Sequence, residues 1–173
     1  MKPLLMFSCY TEIQRQIVEE LGREILASLD AIISSEGGAV QIRDAIAVHQ
    51  TYGRFWLWVL GAYEIVRTMC SPEGRTCFTP GVATELEILK RRLSILRMPF
   101  AKQQLRRKHE PVSAEPSISS FSASPPDLRF EAEGEGHSAR ELIVEFERVF
   151  ASITKADVLR DFRTSYPSRK PSA

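Results

Sequence analysis

Leu86, Leu89, Leu93, Leu96 and Phe100 recur at alternating intervals of three and four residues. That period places all five on one face of an α-helix, whereas a strand, which alternates every second residue, would scatter them over both faces. The spacing predicts a helix from about Ala83 whose apolar seam must be covered by other helices, with Ile88 and Ile95 widening it. Glu87 stands four residues before Arg91, a pairing that supports an exposed helix face. Pro99 has no amide donor and its ring crowds the preceding turn, so the helix is expected to bend or stop there.

Three further stretches read the same way. Thr11 and Gln14 form a capping box ahead of Ile13, Ile17, Leu21, Ile25, Leu29 and Ile32, which predicts an amphipathic helix to about Ser34, closed by Gly37 and Gly38. Val40 and Ile42 suit a short extended entry, and helix is expected from about Asp44. Phe55, Val59, Ala62, Val66 and Met69 give the next inward stripe, and Leu57, Trp58 and Leu60 make that helix apolar nearly all round, the pattern of a central bundle helix. Gly53 and Gly61 offer close approach to a neighbour, and Ser71, Pro72, Glu73 and Gly74 end the segment. Ser138 and Glu141 form a second capping box before Leu142, Phe146, Val149 and Ile153. Lys155–Phe162 adds a short helix.

Between these patterns the composition shifts. Residues 110–126 are rich in Pro, Ser, Ala and Glu and read as a connector. Leu128, Phe130 and Ala132 alternate with Arg129, Glu131 and Glu133, which predicts a short strand over Asp127–Glu133 paired with Ser117–Phe121, followed by a turn at Gly134, Glu135 and Gly136. The expected fold is all-α in the main: an up-and-down bundle of four principal helices with a small β-hairpin between the third and fourth. One domain spans residues 1–163 and a disordered tail covers 164–173.

The 173 residues suffice for one domain with a real core, and a formal charge of +1 excludes a globally basic nucleic-acid coat. Cys9, Cys70 and Cys77 are odd in number and lack metal-type spacing, as suits reduced thiols in a cytoplasmic protein; a Cys70–Cys77 disulfide is the less favoured alternative. The opening MKPLLMFSCY lacks the h-region and cleavage site of a signal peptide, and Leu4–Phe7 are expected to tuck against the bundle. The apolar window Phe55–Tyr63 is far shorter than the roughly 20 residues of a membrane span. No membrane partner is expected.

His49, His109 and His137 are widely separated and have no HExxH or CxxC companion, so neither a metal nor another cofactor is expected. GxSxG, GxGxxG and GxxxxGK[ST] are all absent from the chain. Phe55, Trp56, Trp58 and Tyr63 suggest a base-stacking platform, but their helical spacing favours core packing. Glu64 would need a cation if buried, and Arg67 or Arg97 could supply one; a solvated edge position is the alternative. The strongest local signal is Lys90, Arg91, Arg92, Arg97, Lys102, Arg106, Arg107 and Lys108, with no acidic residue between Glu87 and Glu110. Such density can hold phosphates through guanidinium contacts and counterion release, or can simply be a solvated helix face.

The segments LGAYEIVRT and LEILKRRLSILRMPFAK resemble the helical core of the HEPN superfamily, the higher eukaryotes and prokaryotes nucleotide-binding bundles. The resemblance covers Glu12–Lys102, with Ser138–Ile153 as a closing helix. It implies a four- or five-helix bundle that often dimerises and, in many members, a metal-independent ribonuclease or a part of a defence or toxin-antitoxin system. The family hallmark is an arginine, usually followed by a polar residue, with a histidine four to six residues further on. Here Arg97 takes the arginine position, Met98 replaces the polar residue, and Lys102 stands where the histidine would be. A histidine titrates near pH 6.5 and can exchange protons at neutral pH, whereas an ordinary lysine near 10.4 stays charged. The resemblance thus implies a non-catalytic module binding RNA, a nucleotide or a partner protein through Arg97, Lys102, Arg106, Arg107 and Glu64, as a homodimer. A metal-independent endoribonuclease, with Arg97 stabilising phosphate charge, and a purely structural assembly module are the alternatives.

Overall fold

The computed structural model describes residues 2–36, 39–42, 45–102, 120–132 and 135–162. Four long helices dominate it: α2 (Cys9–Ile32), α3 (Ala45–Met69), α5 (Pro80–Lys102) and α6 (Ala139–Ser152), with short helices α1 (Leu4–Phe7) and α4 (Pro72–Arg75) beside them. Residue numbers run in opposite directions across the α2–α3, α3–α5 and α5–α6 seams. Gly22 meets Trp58 while Gly61 meets Val18; Trp56 reaches Phe100 while Glu64 reaches Arg97; Glu85 pairs with Arg148 while Arg92 pairs with Glu145. The chain is therefore a mainly all-α, up-and-down bundle, as its periodicity implies.

The inward stripes of three helices are as expected. Phe55, Val59, Ala62, Val66 and Met69 of α3, Leu86, Leu89, Leu93, Leu96 and Phe100 of α5, and Leu142, Phe146 and Val149 of α6 with Ile153 at its C-cap are all buried. Ile88, in contrast, is exposed, and so is Leu57. The surface position of Leu57 shows that α3 is not covered on all sides. Leu4 and Phe7 are buried in the core from α1.

The first half of α2 departs from the expected stripe. Ile13 and Ile17 face outward, and the buried positions are Thr11, Glu12, Val18 and Gly22 before Ile25, Leu29 and Ile32 rejoin the pattern. Ser8, not Thr11, accepts the first-turn amide, from Thr11 N at 3.3 Å. Glu12 can be buried because it is fully partnered. Arg15 grips both its oxygens at 2.8 Å, Gln16 donates to it at 2.7 Å and Lys2 lies 3.5 Å away. Burial by itself raises this carboxyl's pKa, but the hydrogen bonds and neighbouring positive charges outweigh it and hold the group below its ordinary range. The close helix approach falls at Gly22, where a Cβ would lie 3.0 Å from Ile143 Cγ2 and 3.1 Å from Trp58 Nε1. Gly61 is similarly close to Val18, while Gly53 faces open space.

A hairpin of β1 (Ile33–Glu36) and β2 (Ala39–Ile42) joins α2 to α3, so α2 ends two residues before the expected Ser34. The β-branched Ile33, Val40 and Ile42 favour the extended backbone there. Gly37 and Gly38 lie outside the described residues, as do residues 103–119 and 163–173, which include most of the expected connector and the whole tail. Pro99 does not end α5, which continues to Lys102. The lost backbone bond is tolerated where Phe100 is buried among aromatic rings. Glu87 pairs with Lys90 at 2.6 Å rather than with Arg91.

The expected strand is present as β4 (Pro126–Ala132), pairing with β3 (Ser120–Ala123) so that Phe121 faces Leu128; residues 117–119 lie outside the described set. β3 thus turns the end of the expected connector into sheet. A third strand, β5 (Glu135–Ser138), stands where a turn was expected at Glu135 and Gly136, with Arg129 opposite Ser138. Leu128, Phe130 and Ala132 put one face of this sheet on the bundle, which leaves the free edge of β4 to be paired. Ser138 then caps α6, accepting from Glu141 N at 3.0 Å. A 3-10 turn at Lys155–Asp157 follows α6 in place of the expected short helix, held to the residue before α5 by Thr79, whose hydroxyl donates to Asp157 at 3.0 Å. No helix among the described residues is long and apolar enough to cross a membrane.

Candidate functional site

The antiparallel seam between α3 and α5 gathers the polar groups singled out in the sequence. Arg97 projects from α5 towards α3, where Glu64 Oε1 lies 3.8 Å from its Nη2 and the Tyr63 ring lies 5.2 Å below its Cζ. A second guanidinium nitrogen contacts Met98 Sδ at 3.3 Å. Glu64 also accepts from Arg67 Nε at 2.7 Å, one turn along the same helix. That hydrogen bond, together with the carboxylate's charge, raises the Arg67 pKa above its ordinary value. Glu64 is therefore a solvated edge carboxylate shared by two arginines, and each of the two expected partners is used.

The basic run divides around α5. Lys90 is paired with Glu87, Arg92 turns to Glu145 of α6, Arg91 is exposed, and Arg97 faces α3. Successive helical positions differ by about 100°, so neighbours in sequence face different helices. The four cations do not make one patch. Lys102 is the last residue of α5, and five positions on an unbroken helix separate it from Arg97 by about 140° around the axis. Arg106 and Arg107 lie outside the described residues.

Phe55, Trp56, Trp58 and Tyr63 of α3 also divide. Phe55 and Trp58 are buried and stacked, with centroids 5.7 Å apart. Trp56 and Tyr63, seven positions apart, lie on the α5 side, Trp56 exposed and Tyr63 half-buried, and Trp56 Nε1 donates to the Phe100 carbonyl at 3.0 Å. Core packing accounts for the first pair and in part for Tyr63, which packs against the core, but not for Trp56. The signal for the second pair was available in the spacing, because Trp56 and Tyr63 each sit one position off the stripe of Phe55, Val59, Ala62, Val66 and Met69.

The seam carries the Glu64 and Glu87 carboxylates and the Cys70 thiol, while neither described histidine contacts Arg97 or Glu64. His49 precedes Glu64 by fifteen positions on α3, about 22 Å along the helix axis, and His137 lies in β5, with Nε2 3.3 Å from the Ala132 carbonyl. Cys70 faces Glu87 and Lys90 across the α3–α5 seam, where burial, then the Glu87 charge, pushes its pKa up to about 12. It is a thiol at neutral pH and a poor nucleophile. No disulfide joins Cys9, Cys70 or Cys77, and no group of three His, Cys, Asp or Glu side chains among the described residues could hold a metal ion.

A second polar cluster escaped sequence reasoning. Asp127, at the start of β4, is buried; it accepts from Ser138 Oγ at 2.5 Å and Arg140 N at 3.0 Å, and pairs with Arg129 Nε at 3.1 Å. Arg140 in turn reaches Asp30 of α2 at 2.5 Å and the Pro126 carbonyl. This network ties the sheet, the start of α6 and the end of α2 together, and every acceptor it buries is used. Against known proteins, the chain matches no family model, no curated protein and no solved structure.

Proposed function

We propose that this chain is a non-catalytic, HEPN-like helical module that binds RNA through the α3–α5 face around Arg97. The observation that supports this most is the guanidinium of Arg97, oriented over the Tyr63 ring and only loosely paired with Glu64 at 3.8 Å. An arginine ordered in this way retains donors for a phosphate. The sequence continues the positive charge through Lys102, Arg106 and Arg107. The lack of a nearby histidine among the described residues favours binding over the endoribonuclease reading.

RNA affinity should fall steeply with added salt, and Arg97→Ala should weaken binding across sequences and flatten the slope of log K against log salt by about one. Anisotropy titrations of labelled RNA over a salt series make this check, with a nucleoside triphosphate as competitor to separate a nucleotide site from an RNA site. Unchanged binding in both Arg97→Ala and Lys102→Ala would overturn the reading. Cleavage of RNA in the presence of EDTA would move the assignment to the ribonuclease.

One observation favours a second reading, assembly through a protein surface. Tyr10, Ile13 and Ile17, at spacings of three and four on α2, are 73%, 49% and 60% exposed, and Leu57 of the adjoining α3 is 54% exposed. An exposed apolar stripe of this kind is the usual mark of an interface. If it joins two copies, light scattering should give a dimer, and Ile17→Glu should give a folded monomer. A wild-type monomer at high protein concentration would remove this reading.

A further inference from the structure

We infer that the ligand of the α3–α5 face is single-stranded nucleic acid, with one base stacked on Trp56 and the adjoining backbone phosphate on Arg97; this rests on the RNA-binding reading above and names its substrate class. Trp56 is 38% exposed, although a tryptophan on a bundle helix gains most by burial. Its one polar atom is already used, since Nε1 donates to the Phe100 carbonyl across the seam. What the exposed part of the side chain offers a ligand is therefore apolar aromatic ring. The same hydrogen bond fixes the indole against α5, so a ligand ring would meet an ordered platform.

No other aromatic ring among the described residues packs on Trp56. The remaining large rings of this end of the bundle pack with one another: Phe55 with Trp58 and Phe130, and Phe100 with Tyr52 and Phe130. Tyr63 lies two helical turns along the same side of α3, about 10 Å away by helix rise, and carries Arg97 over its ring. A partly exposed indole and an oriented guanidinium thus stand on one seam, two helical turns apart. A phosphate or a pyrophosphate would use the guanidinium and leave the platform idle. A duplex would present phosphates but keep its base faces stacked inside. An unpaired strand has both chemistries to offer, a free base face and a phosphate beside it, and stacking of this kind tolerates any base.

The test uses the full chain, a labelled short oligouridylate, an abasic strand of the same length and a blunt duplex, titrated at low salt. The oligouridylate should bind more tightly than the duplex or the abasic strand. Trp56→Ala should weaken it about tenfold, as the loss of one base stack implies, and leave the abasic strand unchanged. Trp56→Phe, which keeps a ring at the position, should restore most of the affinity, and Arg97→Ala should weaken both strands. Equal binding of duplex and single strand, or an equal effect of Trp56→Ala on the uridylate and abasic strands, would overturn the inference while leaving the phosphate site standing. If the wild-type chain binds neither strand, the RNA-binding reading falls with it.

Discussion

Replacing Phe130 with alanine is expected to cost about 3–5 kcal/mol of stability, the range for truncating a buried aromatic. Phe130 is 1% exposed, and its ring lies 5.1 Å from that of Phe55, 5.6 Å from that of Phe100 and 6.1 Å from that of Tyr52. Among the described residues its ring joins the sheet to the aromatic cluster of α3 and α5, so its loss leaves a cavity lined by three rings that cannot collapse without moving β4. For a chain of this size each kcal/mol shifts the melting temperature by about 2–4 °C, which gives a drop of about 10 °C. Thermal unfolding followed by circular dichroism checks it, with the exposed Val144→Ala as a control expected to change stability by less than about 0.5 kcal/mol. A Phe130→Ala protein that melts with the wild type would mean that the sheet does not seal this end of the bundle.

Asp127→Ala should cost about 2–3 kcal/mol, because it strips the acceptor from a buried hydroxyl and from a backbone amide at the start of α6. The partners left behind are Ser138 Oγ and Arg140 N, and Arg129 loses its counter-charge. Asp127→Asn keeps an acceptor and should cost less. Ser138→Ala removes the helix cap as well, at about 1 kcal/mol. Since the two residues touch, the double variant should be less destabilised than the sum of the singles. Urea unfolding of the four proteins measures that coupling; strict additivity would show that Asp127 and Ser138 act independently.

Much of the fold was legible in the chain because apolar periodicity reports directly on which face of a helix is covered. The stripes of α3, α5 and α6 follow from spacing alone, and so does the strand at β4. The first half of α2 did not, although its isoleucines are just as periodic. Glu12 takes the inward position there because Arg15, Gln16 and Lys2 converge on it, and Gly22 does so because α3 and α6 approach too closely for a side chain. Neither reason is visible in hydrophobicity. Pro99 is a similar case, since a residue that opposes helix in isolation is overruled where its neighbour Phe100 is locked into a ring cluster and hydrogen-bonded to Trp56. Glu135 and Gly136 have weak strand preference and suit a turn by themselves, and only the free edge of β4 makes them a strand.

The candidate site was legible in its residues but not in its arrangement. Arg97 and Glu64 were marked by charge, and the structure does bring them together. The basic run beside them is divided among three directions by the turn of α5; Tyr63 is the ring that lies under Arg97, and Trp56 reaches α5 at Phe100. By itself the sequence determined the number of principal helices and most of the faces they bury, since burial of apolar area depends on a repeat along one chain. Only the tertiary structure decided which carboxylate meets which guanidinium and which aromatic rings remain at the surface. Those outcomes depend on the rotation and approach of a neighbouring helix, which periodicity within a single helix does not carry.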